Sequence, residues 1–108
     1  MEYRGRFAPS PTGHLHLGGA ASAIFAAAAA RRGRGALVVR VEDLDAPRVR
    51  ETSEGDILDD LAWLGLRFDE GPREGGRRVP YRQAERLAIY EAALAKLAAT
   101  GETFLCDC

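Results

Sequence analysis

The segment that most restricts what this chain can fold into is Ala36 to Val41 (ALVVRV), a nearly continuous apolar run rich in β-branched residues. A strand buried on both faces has this composition, and such strands belong to parallel sheets covered by helices. A parallel neighbour needs a crossover connection, usually a helix. The preceding residues supply both. Gly5 to Ala8 reads as a first strand that ends at Pro9, because a residue before proline is pushed toward extended conformations. From Leu17 the pattern turns helical, with Leu17, Ala20, Ala21, Ile24, Phe25 and Ala28 expected on one apolar face. Ala26 to Ala30 add high helix propensity, and Arg31 and Arg32 suit the negative end of the helix dipole, with Gly33 or Gly35 as the stop. Strand, loop, helix and strand make a βαβ unit, so the fold class is α/β with a parallel sheet.

Beyond the second strand, an acidic-proline turn runs from Glu42 to Pro47. Thr52 or Ser53 can cap a second helix whose Ile57, Leu58, Leu61 and Leu64 share a face, with Gly65 past its end. Arg67 to Asp69 reads as a short extended piece and Gly71 to Arg78 as a loop whose Arg73, Arg77 and Arg78 are expected to be solvated. Gln83 to Thr100 is predicted to form a third helix, with Leu87, Tyr90, Leu94 and Leu97 on one stripe. Thr103 to Cys106 is expected to be a strand. Leu58, Leu61, Leu87 and Leu94 are expected in the core.

Composition narrows the class further. Hydrophobic residues at 46% and charged residues at 29% are ordinary for a soluble globular domain, and a net charge of −1 gives no overall basic field. Of fifteen basic residues only Lys96 is a lysine. The longest apolar run, around Ala20 to Ala30, is too short to span a membrane, and the N-terminus lacks an apolar signal region. Cys106 and Cys108 suit neither a disulfide scaffold nor export, so the cytoplasm is the expected location; a monomer is the expected state.

In an open parallel sheet, ligands bind beyond the carboxyl ends of the strands. Those ends are Pro9 to Gly19 and Glu42 to Arg48. In the first, two prolines and Gly13 stiffen a loop that backbone and ligand can share closely. His16 stands before a helix whose first N–H groups are free to meet an anion, and Gly18 and Gly19 leave room for a base or a phosphate. A histidine there can donate to phosphate oxygens as charge builds. In the second, Glu42, Asp43 and Asp45 can bind an ammonium, a ribose hydroxyl or Mg²⁺, or form a solvated turn.

Together, RFAPSPTGHLHLGG (Arg6 to Gly19) and RVEDLDAPR (Arg40 to Arg48) resemble the glutamyl-tRNA synthetase group of class I synthetases, with His16-Leu17-Gly18-Gly19 in the place of the "HIGH" motif. The similarity continues through WLGLRFDEGP (Trp63 to Pro72) and YRQAER (Tyr81 to Arg86) to the closing CDC. The resemblance implies the N-terminal half of a Rossmann-like (HUP-type) catalytic domain: 1–70 as the first nucleotide-binding half, 71–108 as the start of an insertion. It implies that glutamate and ATP, with Mg²⁺, give glutamyl-adenylate and that the glutamyl group passes to RNA. By position, Arg6, Ala8, Ser10 and Glu42 would hold glutamate. Pro9, Ser10, Thr12, Gly13, His16 and Gly18 would hold ATP, and His16, Gly18 and Gly19 would serve the chemistry. An Arg fork matches a side-chain carboxylate bidentately.

Within the group, Leu44 in EDLD-x-PR and Ala20-Ala21-Ser22 resemble the glutamyl-queuosine tRNA(Asp) synthetase, whose acceptor is the queuosine base of tRNA(Asp). The housekeeping glutamyl-tRNA synthetase, acting on tRNA(Glu), is the alternative. More distant readings are another adenylyl-transfer protein and an inactive fragment. Cys106 and Cys108 resemble the start of the family's zinc site. The family's lysine-rich second ATP loop has no counterpart here, so the 108 residues read as a fragment or a truncated frame, expected not to activate glutamate alone at a useful rate.

Overall fold

The computed structural model describes residues 3–107. Strand β1 (Arg4–Phe7) runs through a loop into helix α1 (Leu17–Arg32), which returns the chain to strand β2 (Ala36–Val39). The strands are parallel, with Arg4 opposite Ala36 and Phe7 opposite Val39. The βαβ unit is therefore present. Pairing continues past the strands, because Arg40 N–H donates to the Phe7 carbonyl (3.0 Å) and Glu42 N–H to the Pro9 carbonyl (2.9 Å).

Even-numbered residues of β2 bond toward β1, while odd-numbered ones bond toward a third segment. Asp69 N–H donates to the Leu37 carbonyl at 2.8 Å, Val39 N–H to the Glu70 carbonyl at 2.9 Å, and Val41 N–H to the Tyr81 carbonyl at 2.9 Å. The expected extended piece at Arg67 to Asp69 is thus the beginning of a broken third edge. The chain leaves that edge after Glu70 and rejoins it at Tyr81, so residues on both sides of position 70 pair with β2.

The alternation Gly5, Phe7 against Arg4, Arg6 puts one face of β1 in the core and the other in the open. The core joins Phe7, Leu37 and Val39 to Ala23, Ala27 and Ala30 of α1 and to Ile57, Leu58 and Leu61 of helix α2 (Ser53–Trp63). The face of α1 that packs is not the one expected from the sequence. Leu17 is 86% and Phe25 76% exposed, and Ile24 is also in solvent, whereas Ala23 is fully buried. The reason lies at Gly5, where a Cβ would stand 2.9 Å from the Ala26 carbonyl oxygen. Helix and sheet approach so closely there that only alanine fits between them. The alanine run therefore supplies a thin packing face as well as helix propensity.

Helix α2 behaves as expected at Ile57, Leu58 and Leu61, while Leu64 is partly exposed. Gly65, at φ +78°, provides the left-handed residue after the helix. The third helix is shorter than expected. A 3₁₀ turn, Ala84–Arg86, precedes α3 (Leu87–Ala99), and no residue of α3 is buried. Leu87 (52% exposed) and Leu94 (60%) are not core residues; among the described residues no other element covers them. The radius of gyration is 16.0 Å, where about 13 Å is typical of a compact domain of this length. Thr103 to Cys106 is exposed coil, not a strand. Among the described residues no helix is long and apolar enough to cross a membrane.

Candidate functional site

The loop from Ala8 to His16 is built around its prolines. Pro11 is buried, and its carbonyl accepts from Arg50 N–H at 2.9 Å, which ties the loop to the segment leading into α2. The loop ends on His16, which caps α1 in an extended conformation. Its Nδ1 accepts from Gly19 N–H at 3.3 Å. An accepting ring nitrogen carries no hydrogen, so the imidazole presents its N–H at Nε2. Gly18 keeps this arrangement open, since a Cβ there would press on the imidazole at 3.2 Å.

Two cavities lie against the sheet, one beyond the carboxyl end of β1 and one along the strands. One, of about 490 Å³, is lined by Pro9, Ser10, Thr12, Gly13, His16 and Gly19, with Phe7, Ala8, Leu15 and Ile57 among its remaining walls. Five of the six residues expected at ATP thus share one cavity, and Gly18 is adjacent on the helix. The second, of about 480 Å³, opens on the sheet face opposite α1, and Arg4, Arg6, Arg40, Arg78 and Arg86 line it with Tyr81. Arg6 is here, whereas Ala8 and Ser10 line the first cavity. The four residues expected to hold glutamate are therefore not gathered around one space by these residues alone: β1 ends at Phe7, and the strand alternation that would align Ala8 and Ser10 with Arg6 stops there.

Glu42 lines neither cavity, but its Oε1 accepts from Arg40 Nη2 at 2.6 Å, and Arg40 lines the arginine-rich one. The neighbouring acids have separate tasks. Asp43 accepts from Ala84 N–H at 2.8 Å, closing the turn before α3, and Asp45 faces Arg48 at 3.6 Å. Each carboxylate is engaged by its own partner, so the three do not converge into a Mg²⁺ site. No group of three potential metal ligands occurs among the described residues. Cys106 is exposed and Cys108 lies outside the described residues, so the described residues do not fit a four-ligand zinc centre.

Sequence reasoning missed the polar staple beneath the second cavity. Glu70, buried at 6% exposure, accepts from Arg4 Nη1 at 2.6 Å and from the Tyr81 hydroxyl. The Tyr81 oxygen in turn accepts from Arg78 N–H at 3.1 Å. The hydrogen bonds from Arg4 and Tyr81 lower the Glu70 carboxyl from 4.5 to about 2, while burial and the Glu70 carboxylate push the Tyr81 hydroxyl up. Gly76, at φ +133°, passes so close that a Cβ would meet Glu70 Cγ at 2.6 Å. Arg73, expected to be solvated, bonds Asp59 at 2.6 Å. Arg40 had a visible signal, as the single charged residue within an apolar strand. Glu70 and Tyr81 had none, because eleven positions separate them.

Residues 2–108 match the family described as tRNA synthetases class I (E and Q), catalytic domain. The chain is similar to the glutamate–tRNA ligase of Heliobacterium modesticaldum, 55% identical over 105 residues that make up 97% of this chain and 21% of that protein. It is 49% identical to glutamate–tRNA ligase 2 of Acidithiobacillus ferrooxidans over its full 108 residues, 22% of that protein. Among solved structures, the glutamate–tRNA synthetase of Elizabethkingia anophelis superposes with a TM-score of 0.89 at 41% identity, covering 92% of this chain and 20% of that one. The chain spans about a fifth of the length of the curated relatives it matches. With the family match running through nearly all of its residues, the chain belongs to the class I tRNA synthetases of the E and Q type and carries the first part of their catalytic domain.

Proposed function

We propose that this chain is the ATP- and glutamate-binding opening of a glutamate–tRNA ligase, acting with the rest of a catalytic domain of its relatives' length. The observation that carries the reading is the cavity shared by Pro9, Ser10, Thr12, Gly13 and His16, at the helix start capped by His16, whose ring offers an N–H at Nε2. That donor suits an oxygen of the ATP phosphates. A carboxylate of glutamate attacks the α-phosphorus, the bond to the bridging oxygen breaks, and pyrophosphate leaves with that electron pair. A ribose hydroxyl of the RNA then takes the glutamyl group and releases AMP. Donors at the phosphates stabilise the charge that accumulates in the first step. Arg6 supplies a planar fork for the side-chain carboxylate of glutamate, and Glu42 an anion for its ammonium. ATP enters with Mg²⁺ held by its own phosphates; no zinc is needed for any of these roles.

The acceptor we propose is tRNA(Glu). Relatives that are 49% to 55% identical over nearly the whole chain carry the name glutamate–tRNA ligase, and this outweighs Leu44 and Ala20-Ala21-Ser22, the residues that resemble the queuosine-directed enzyme. Leu44 is half exposed on the turn and touches neither cavity.

The test is a chimera in which this chain replaces the matching opening of the Heliobacterium modesticaldum ligase. Glutamate-dependent ATP–pyrophosphate exchange is expected, with Arg6→Ala chiefly raising KM for glutamate. His16→Ala is expected to slow exchange by roughly 10²–10³-fold, as loss of a transition-state donor does. Wild-type exchange in both variants would refute the assignment, and glutamylation of queuosine-bearing tRNA(Asp) in preference to tRNA(Glu) would refute the acceptor.

A further inference from the structure

Arg40 breaks the apolar run of the second strand, and the structure shows what it faces. Its Nη2 sits 2.6 Å from Glu42 Oε1, with 27% of the Arg40 side chain and 33% of the Glu42 side chain exposed. Its Nε is shut off from solvent without a hydrogen-bond partner, so the stem is packed and the guanidinium does not swing freely. The backbone on both sides is fixed by the ladder to Phe7 and Pro9. Glu42 is thereby restrained at its main chain and at one carboxylate oxygen. A carboxylate offers about four lone-pair directions over its two oxygens, so Oε2 is left for a second cation.

We infer that Arg40 is a positioning residue that holds Oε1 of Glu42 so that Oε2 meets the substrate ammonium. The inference rests on the proposed role of Glu42 in glutamate binding. Its energetic sense is preorganisation: a half-exposed glutamate samples several rotamers, and an ion pair that selects one removes that ordering from the binding step. Arg40 does not touch substrate in this scheme. It acts through Glu42 alone, which separates it from Arg6, the fork for the far carboxylate.

The experiment uses the same chimera and compares Arg40→Gln, Arg40→Lys and Glu42→Gln. Two quantities are read: KM and kcat for glutamate in pyrophosphate exchange, and Ki for glutarate, which has both carboxylates and no ammonium. Arg40→Gln is expected to raise KM about tenfold, the worth of one charge-assisted hydrogen bond in a partly exposed setting. Its kcat is expected to hold within about twofold, the pattern of lost ground-state binding, and its glutarate Ki should be unchanged. Arg40→Lys, which keeps the charge and guards against misfolding of the glutamine variant, should recover most of the affinity. A raised KM in Glu42→Gln with a normal KM in Arg40→Gln would overturn the inference while leaving the glutamate role of Glu42 intact. Equal weakening of glutamate and glutarate by Arg40→Gln would also overturn it, by showing a general structural role. A normal KM in Glu42→Gln would remove the underlying reading, and the inference with it.

Discussion

Replacing Gly5 by alanine adds one methyl group at the tightest point between sheet and helix. The new Cβ would lie 2.9 Å from the Ala26 carbonyl oxygen and 3.4 Å from Ala30 Cβ. The first neighbour is helix backbone, which cannot rotate away, so α1 must move off the sheet by several tenths of an ångström. Overpacking of this kind costs about 1–3 kcal/mol. Against it stands the smaller entropy of the unfolded alanine chain, worth about 0.4–1 kcal/mol where the backbone angles are compatible. The clash wins, with a net loss near 1 kcal/mol. Gly55 is the matched control: it lies inside α2, and a Cβ there meets nothing within 4 Å. Gly55→Ala should therefore stabilise by about 0.5–1 kcal/mol. Urea unfolding followed by circular dichroism at 222 nm reads both, since Trp63 at 85% exposure is a poor fluorescence reporter. With a slope of about 1–3 kcal/mol per molar urea, the midpoints should move in opposite directions, each by roughly half a molar. If Gly5→Ala unfolds at or above the wild-type midpoint, the close seating of α1 on β1 is wrong.

Leu61 is fully buried between α2 and the sheet, and Leu61→Ala should lose about 2–5 kcal/mol, enough to leave much of the population unfolded at 37 °C by the same dichroism assay. Glu70 titrates near 2 in the folded chain against an ordinary 4.5. Its contribution is thus fully present above pH 4.5 and is lost as pH falls toward 2; acid titration of Glu70→Gln should show a shallower loss of stability across that window. Phe25→Glu replaces a side chain that is 76% exposed, so the urea midpoint should correspond to a change within about 0.5 kcal/mol; a collapse would mean that Phe25 is covered.

The outline of the fold was legible because its signals are local. The β-branched run at Ala36 to Val41, the prolines after Ala8 and the glycines at 33 and 65 each constrain the backbone where they stand. The packing face of α1 was not legible in the same way. Helical periodicity weights large apolar residues, and it favoured Leu17, Ile24 and Phe25, while the true face was chosen by a glycine on another element. Leu87 and Leu94 failed for the converse reason: a stripe says that a helix can be buried, and burial also requires a partner, which the described residues do not provide. At the site, the residues expected to hold ATP were nearly contiguous in sequence, and all but Gly18 line one cavity. The glutamate set was drawn from strand β1, the loop after it and the turn after β2, and Ala8 and Ser10 line the other space. Glu70 and Tyr81 could not be paired beforehand, since nothing local marks a contact across a detour.

That detour bears on how a chain of this kind can vary. Val39 and Val41 are successive rungs on one side of β2, yet their partners, Glu70 and Tyr81, are eleven positions apart. The sheet reads only the two ends of the interruption, and Glu70 and Tyr81 clasp those ends together. Residues 71–80 are in effect a parenthesis in the edge strand. Within it, Gly76 packs against Glu70 and Arg78 N–H reaches the Tyr81 hydroxyl, so new sequence fits only between these contacts, where it leaves the rungs on either side in register and the loop from Ala8 to His16, two strands away, undisturbed.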